Sequence, residues 1–239
     1  MVRSRNGTDS CNFLMTPSCG TGKIIIRDLQ GGNMLAAFDI DNVMCDIIAG
    51  ARTLLSREIG IPVSDVQLTG IYATPFSHHD PAIASILAVD HAFWDREDLL
   101  ISCPALPGSV EAAWRLFDAR RLAAYITRRP PAVEHLTSHW LEKLRFPPLK
   151  AYHVGASEAA SAFATCKSTV CHEIGVTHLV DDHATEIATA AAAGISVIVV
   201  DAEVGRDARY AELQKNPGAV LARDVGHAVD ILLSQARAA

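Results

Sequence analysis

The sequence predicts an α/β protein built on a doubly wound parallel sheet, with a small helical cap inserted after the first strand. Three observations predict it. From Met34 onward short apolar runs alternate with amphipathic stretches, the pattern of strands joined by crossover helices. Each run is apolar on both faces, as a strand covered by helices on both sides should be. Residues 41 to 121 separate the first run from the second, too long a span for one crossover helix.

The elements follow in chain order. Residues 1–33 are rich in Gly, Ser, Thr, Asn and Arg and end in LQGGNM; they read as a mobile extension. A faint phosphate-loop likeness in CGTGKII fails, because Pro17 and Ile24 stand where that loop needs glycine and a hydroxyl. The expected strands are MLAAFDI (34–40), LAAYIT (122–127), KAYHV (150–154), THLV (177–180) and ISVIVV (195–200). Between them, PPAVEHLTSHWLEKL opens on proline and repeats Val133, Leu136, Trp140 and Leu144 at helical spacing. ATEIATAAAAG ends on Gly194, a helix stop. PGSVEAAWRLFDARR and RDVGHAVDILLSQAR read as further helices. Residues 46–106 form the cap, with helices near 46–58 and 81–93 and the loop TGIYATPFSHHDP between them. The core domain is then 34–45 with 107–239.

Composition narrows the function classes. The 239 residues are 49% hydrophobic and 20% charged with a net charge of -6, which suits an ordinary soluble globular protein and argues against a broad nucleic-acid surface. No apolar stretch approaches the roughly 18 residues of a membrane span, and residues 1–33 lack the apolar centre of a secretory leader. A cytoplasmic protein is expected. The six cysteines are scattered without a CxxC pair, so reduced thiols are expected rather than a zinc or disulfide framework. His135 and His139 share a helix face but lack the glutamate of HExxH, and with His78 and His79 they read as surface residues.

Ligands of an open α/β sheet bind beyond the carboxyl ends of its strands, so the strand ends carry the chemistry. The first ends in Asp39 and Asp41, whose spacing in extended chain turns both side chains the same way. The second ends in Thr127 and the fourth in Asp181 and Asp182, with Lys167 one helical segment earlier. Four carboxylates in one crevice repel unless a cation sits among them. Hard oxygen ligands favour Mg²⁺, which prefers to keep waters and a substrate phosphate.

These residues stand in the order of four motifs. DIDNV carries Asp39, Asp41 and Val43; YITRRP carries Thr127; ATCKSTV carries Lys167; LVDDHATE carries Asp181, Asp182 and Glu186. In that order, with a cap-sized insert after the first, residues 34 to about 200 resemble the haloacid dehalogenase-like (HAD) phosphatases.

The resemblance implies a HAD-like Rossmannoid core and an aspartyl-phosphate mechanism. Asp39 would attack phosphorus. Asp41 would protonate the leaving oxygen and later activate water. Thr127 would bond a phosphoryl oxygen, and Lys167 would offset charge, with Lys150 the less well-placed rival. Mg²⁺ would be held by the Asp39 side chain, the Asp41 main-chain carbonyl and Asp181 or Asp182. Two departures stand out: Asn42 replaces a common glycine, and Glu186 replaces a frequent aspartate, so its contact with the metal is water-mediated or absent.

PALPGSVEAAW, YITRRP and the cap size resemble the 5'(3')-deoxyribonucleotidase branch, implying a small phosphorylated metabolite such as a (deoxy)nucleoside monophosphate. Asn42, Arg128 and Phe76 are the expected substrate contacts. Tyr72, Phe93 and Trp94 are further stacking candidates, and Arg129 is an alternative to Arg128. A phosphomutase or other phosphotransferase would share all four motifs. A low-turnover phosphate-binding regulator, using residues 1–33 to dock a partner, would not need Asp41. A dehalogenase does not need that acid on its leaving group either. The acidic balance disfavours a polynucleotide 3'-phosphatase. The expected partner is a small phosphomonoester, with no membrane and no extended nucleic acid; a homo-oligomer is left open.

Overall fold

Ala37 and Phe38 are neighbours in the first strand, yet they are buried in different apolar layers. That alternation organises the protein, because successive side chains of a strand leave opposite faces of the sheet. The computed structural model describes residues 34–60, 62, 67–68, 76–77, 96–155, 166–201 and 206–238. Residues 1–33, read from the sequence as a mobile extension, lie outside them.

The chain runs β1 (Ala36–Phe38), α1 (Ile47–Ile59), β2 (Gln67–Leu68), β3 (Phe76–Ser77), α2 (Glu97–Ser102), α3 (Ser109–Asp118) and β4 (Leu122–Thr127). It continues through α4 (Glu134–Lys143), β5 (Ala151–His153), α5 (Lys167–Glu173), β6 (His178–Asp181) and α6 (Ala184–Ala192). It closes with β7 (Ser196–Val200), α7 (Arg206–Lys215), β8 (Val220–Ala222) and α8 (Val225–Ala238). Six strands form one parallel sheet in the order β5-β4-β1-β6-β7-β8. The chain thus spreads outward from β1 in both directions, leaving the switch crevice at the carboxyl end of β1.

One layer joins Phe38, Tyr125, Val180 and Ile198 to Leu54 of α1, Leu116 of α3 and Leu232 of α8. The other joins Ala37, Ile126, Leu179 and Val197 to Val170 of α5 and Ile187 of α6. This is the doubly covered sheet that the continuously apolar runs predict. Trp140 of α4 is fully buried, lies over Phe146 at 5.1 Å between ring centroids, and donates its indole N–H to the Cys103 carbonyl at 2.8 Å. Gly194 follows α6 with φ 76, the left-handed position its place in the sequence predicts.

Differences from the sequence reading have local causes. The first strand stops at Phe38 because the chain then folds into a tight turn, in which the N–H groups of Met44 and Cys45 both donate to the Ile40 carbonyl at 2.8 Å. Outside the insert, two elements escaped the sequence reading. One is β8, three residues at the sheet edge and too short to show a period; the other is α7, whose polar sequence RDARYAELQK carries little apolar stripe.

Within the insert, α1 matches the expected helix near 46–58, started by Asp46, whose Oδ1 accepts the Ala49 N–H at 2.9 Å. The helix expected near 81–93 lies outside the described residues. β2 and β3 pair antiparallel, so the insert is not wholly helical. Leu99 and Leu100 of α2 bury in the same layer as Phe38. No helix among the described residues is long and apolar enough to cross a membrane.

Trp140→Ala empties this layer of its largest buried side chain and is expected to lower stability by about 3–5 kcal/mol. The shift of the urea unfolding midpoint at constant m-value measures it.

Candidate active site

The register between β1 and β6 sets Phe38 beside Val180, and the Asp39 N–H donates to the Val180 carbonyl at 2.9 Å. Asp39 is thereby brought to the same sheet end as Asp181, the residue that closes β6. Asp39 Oδ1 accepts the Ile40 N–H at 2.7 Å and lies 2.8 Å from Lys167 Nζ. The same ammonium donates to Asp181 Oδ2 at 2.7 Å. Lys167 opens α5 and is buried with both its partners. Lys150, the rival lysine, instead stands 4.4 Å over the Tyr152 ring and is exposed, so of the two it is Lys167 that lies against the carboxylates.

Asp182 completes the cluster. Oxygen atoms of Asp39, Asp181 and Asp182 lie within 4.8 Å of one another. Asn42 Nδ2 donates to Asp182 Oδ2 at 3.3 Å, and Arg209, fully buried, donates Nε to the Asp182 carbonyl at 2.7 Å. Asn42 has φ 59, the left-handed conformation that glycine adopts freely and asparagine tolerates best among other residues. The replacement of glycine therefore keeps the turn and adds a polar contact.

Burial pushes the Asp39 carboxyl well above the usual range; Lys167 opposes the shift, and Asp181, Asp182 and Asp41 reinforce it. Burial and then Asp181 raise Asp182 to about 7, against the pull of Lys167, Arg209 and Asn42. Burial alone would favour the neutral amine of Lys167, but Asp181 and Asp39 outweigh it and keep the ammonium. One ammonium among three buried carboxylates leaves negative charge over, and every donor atom is a hard oxygen. That set fits Mg²⁺.

The two acids that follow β1 have different partners. Asp41 turns to Arg129, which donates Nη2 to Oδ1 at 2.7 Å and Nε to Oδ2 at 3.0 Å. Thr127, buried at the end of β4, accepts the Arg129 N–H on Oγ1 at 3.2 Å, leaving its own hydroxyl proton to donate.

The adjacent arginines diverge, and it is Arg129 that is buried. Arg128 is held by Glu186, its Nε donating to Oε1 at 2.6 Å. Glu186 is buried on Arg128 and stands outside the group formed by Asp39, Asp181 and Asp182. Phe76 lies in β3, and its side chain is outside the described residues, as are Tyr72, Phe93 and Trp94. Beside Asn42 opens a cavity of about 350 Å³ whose lining includes Val43, Ile48, Leu106, Pro107 and Arg223.

One site residue and one pairing escaped the sequence reading. Arg209 sits in a polar helix, and nothing in the sequence separates it from its neighbours. Arg129 was in view as a substrate contact, but its pairing with Asp41 was not, because only the turn after β1 brings the two together.

No family profile and no curated protein matches the sequence. Solved structures do resemble the fold. A HAD family hydrolase from Deinococcus radiodurans, with bound phosphate and sodium, is 16% identical over 85% of this chain and 96% of its own, with a TM-score of 0.56. An L-2-haloacid dehalogenase is 14% identical over 84% of this chain and 100% of its own, at 0.53. A phosphonoacetaldehyde hydrolase-like protein from Oleispira antarctica is 14% identical over 87% and 94%, at 0.52. The fold is HAD-like.

Lys167→Met is expected to destabilise the protein by about 3–5 kcal/mol, because it leaves buried carboxylates without their cation; urea unfolding with and without Mg²⁺ checks this, the metal recovering part of the loss. In wild type free of divalent cations, the raised Asp182 contributes stability that is fully present below 3.8 and lost as pH rises through about 7. Thermal unfolding across that window is expected to show the decline. Mg²⁺ should raise the midpoint more at roughly pH 8 than at roughly pH 5, since it binds the deprotonated cluster.

Proposed function

We propose that the protein is a Mg²⁺-dependent phosphomonoester hydrolase that works through an aspartyl-phosphate on Asp39. The observation that carries this reading is Lys167 Nζ between Asp39, at 2.8 Å, and Asp181, at 2.7 Å, inside a buried carboxylate group. A nucleophile of this kind needs its charge offset without being neutralised by a proton, and an ammonium does that. The bound phosphate of the Deinococcus hydrolase is in keeping with the reading.

Both described donors to Asp39 fall on Oδ1, so Oδ2 is the atom proposed to attack phosphorus. The Thr127 hydroxyl, already accepting from Arg129, has a proton to give to a non-bridging oxygen, where negative charge grows in the transition state. Asp41 hands a proton to the leaving oxygen and takes one from the water that frees Asp39. Asp39, the Asp41 carbonyl and Asp181 or Asp182 would hold Mg²⁺, which would supply Lewis-acid stabilisation of the phosphoryl oxygens. Arg128, tied to Glu186 and partly exposed, is proposed to meet the rest of the substrate.

The substrate proposed is a small metabolite such as a (deoxy)nucleoside monophosphate, with the cavity beside Asn42 available to its leaving group. Residues 46–106 serve as the cap and the cytoplasm as the setting. A phosphotransferase would use the same residues and pass the phosphoryl group to a second substrate instead of water.

Phosphate release from a panel of phosphomonoesters, deoxynucleoside monophosphates included, is expected to require Mg²⁺ and to fall at least about 1,000-fold in Asp39→Asn. Turnover that survives this substitution would remove Asp39 from the mechanism. No release from any ester by folded, Mg²⁺-binding wild type would transfer the case to the phosphotransferase or the phosphate-binding regulator.

A further inference from the structure

We propose that Arg129 is the positioning residue for Asp41, holding the carboxylate where it meets the leaving oxygen; the inference rests on the phosphatase reading above. Asp41 follows the strand rather than belonging to it, and no other side chain among the described residues bonds it. The guanidinium grips both carboxylate oxygens, at 2.7 Å and 3.0 Å. Its planar fork fixes the direction of a carboxylate, which a lysine's point charge cannot do.

Arg129 is itself immobilised. Its side chain is 3% exposed against 28% for Asp41, so the arginine holds the acid from the protein side and leaves it open to the cleft. Nη1 donates to Thr137 Oγ1 at 3.3 Å, and the guanidinium carbon lies 5.8 Å from the Trp140 ring centroid.

The main chain of Arg129 is pinned as well. Its N–H donates to Thr127 Oγ1 at 3.2 Å, and its carbonyl accepts from the Gly155 N–H at 3.4 Å and from His153 Nδ1 at 3.2 Å. Gly155 is required for this: a Cβ there would stand 2.1 Å from the Arg128 carbonyl oxygen. One residue thus fixes both the proposed proton donor, through its side chain, and the proposed phosphoryl hydrogen-bond donor, through its N–H.

A positioned acid matters in proportion to how badly the leaving group needs a proton. The test measures kcat/KM, which reports leaving-group expulsion, for an alkyl phosphate and for 2,4-dinitrophenyl phosphate, whose phenolate leaves unprotonated. Arg129→Met is expected to lose on the order of 100-fold or more on the alkyl ester and only a few-fold on the aryl ester, within the usual range of general-acid contributions. In an Asp41→Asn background the same substitution should cost little more on either. Arg129→Lys, which keeps the charge, should show the same split and serves if the Met variant does not fold.

Equal losses on the two esters, or undiminished losses in the Asp41→Asn background, would overturn the positioning role. A direct role in phosphate binding would appear as equal losses together with weaker inhibition by inorganic phosphate. Wild type silent on both esters would overturn the phosphatase reading, and the proposal with it.

Discussion

Lys167 sets its ammonium between Asp39 and Asp181 with all three side chains withdrawn from solvent. Withdrawing any one of them alone would cost several kcal/mol, so each is tolerable only because the others are in place. This interdependence explains the precision demanded of the sheet. Asp39 and Asp181 meet because β1 and β6 are parallel neighbours with Phe38 opposite Val180, and a slip of one residue would turn the wrong faces toward the helices on either side. The helix that delivers Lys167 is docked on β4 and α6 through Val170 and Cys171, in the layer that also holds Leu179. Apolar packing sets the positions, and the ion pairs make any other position expensive.

The sequence was most legible where physics acts locally. Strands buried on both faces must be apolar at every position, and LAAYIT is β4 from its first residue to its last. Acids that end such strands are conspicuous because they interrupt an apolar run, which is why Asp39, Asp181 and Asp182 could be picked out. Lys167 was legible only as one of two candidates, since the choice depends on a helix leaving the sheet in a given direction. Glu186 stood near the acids in sequence, but Arg128 claims it in space. The pairings of Arg129 and Arg209 were beyond reach for a related reason: what matters about each is its partner, Asp41 and the Asp182 carbonyl, and no local pattern encodes a partner so far away along the chain.

The charges at the sheet end fall into separate compartments. Lys167 serves Asp39 and Asp181, Arg129 serves Asp41, Arg128 serves Glu186, and Arg209 holds the main chain that carries Asp182. Each cation differs from the next in what it leaves available. The point charge of Lys167 occupies one oxygen of Asp39 and leaves the other, whereas the fork of Arg129 takes both oxygens of Asp41. A nucleophile needs a bare lone pair and a proton carrier needs a fixed direction, so the two kinds of cation suit the two roles proposed for these neighbouring aspartates.

The same compartments bear on how substrate and metal would enter. Five acids, Asp39, Asp41, Asp181, Asp182 and Glu186, face four cations, Lys167, Arg128, Arg129 and Arg209. A phosphomonoester dianion arriving alone would add negative charge in a buried setting, where like charges are poorly screened. A divalent cation arriving with it cancels that addition. Under the phosphatase reading, metal and phosphate therefore favour each other's binding electrostatically, and the carboxylate group repels free phosphate until the metal is in place. Under that reading, the buried acid cluster that costs the empty protein stability would also make its affinity for phosphate conditional on the metal.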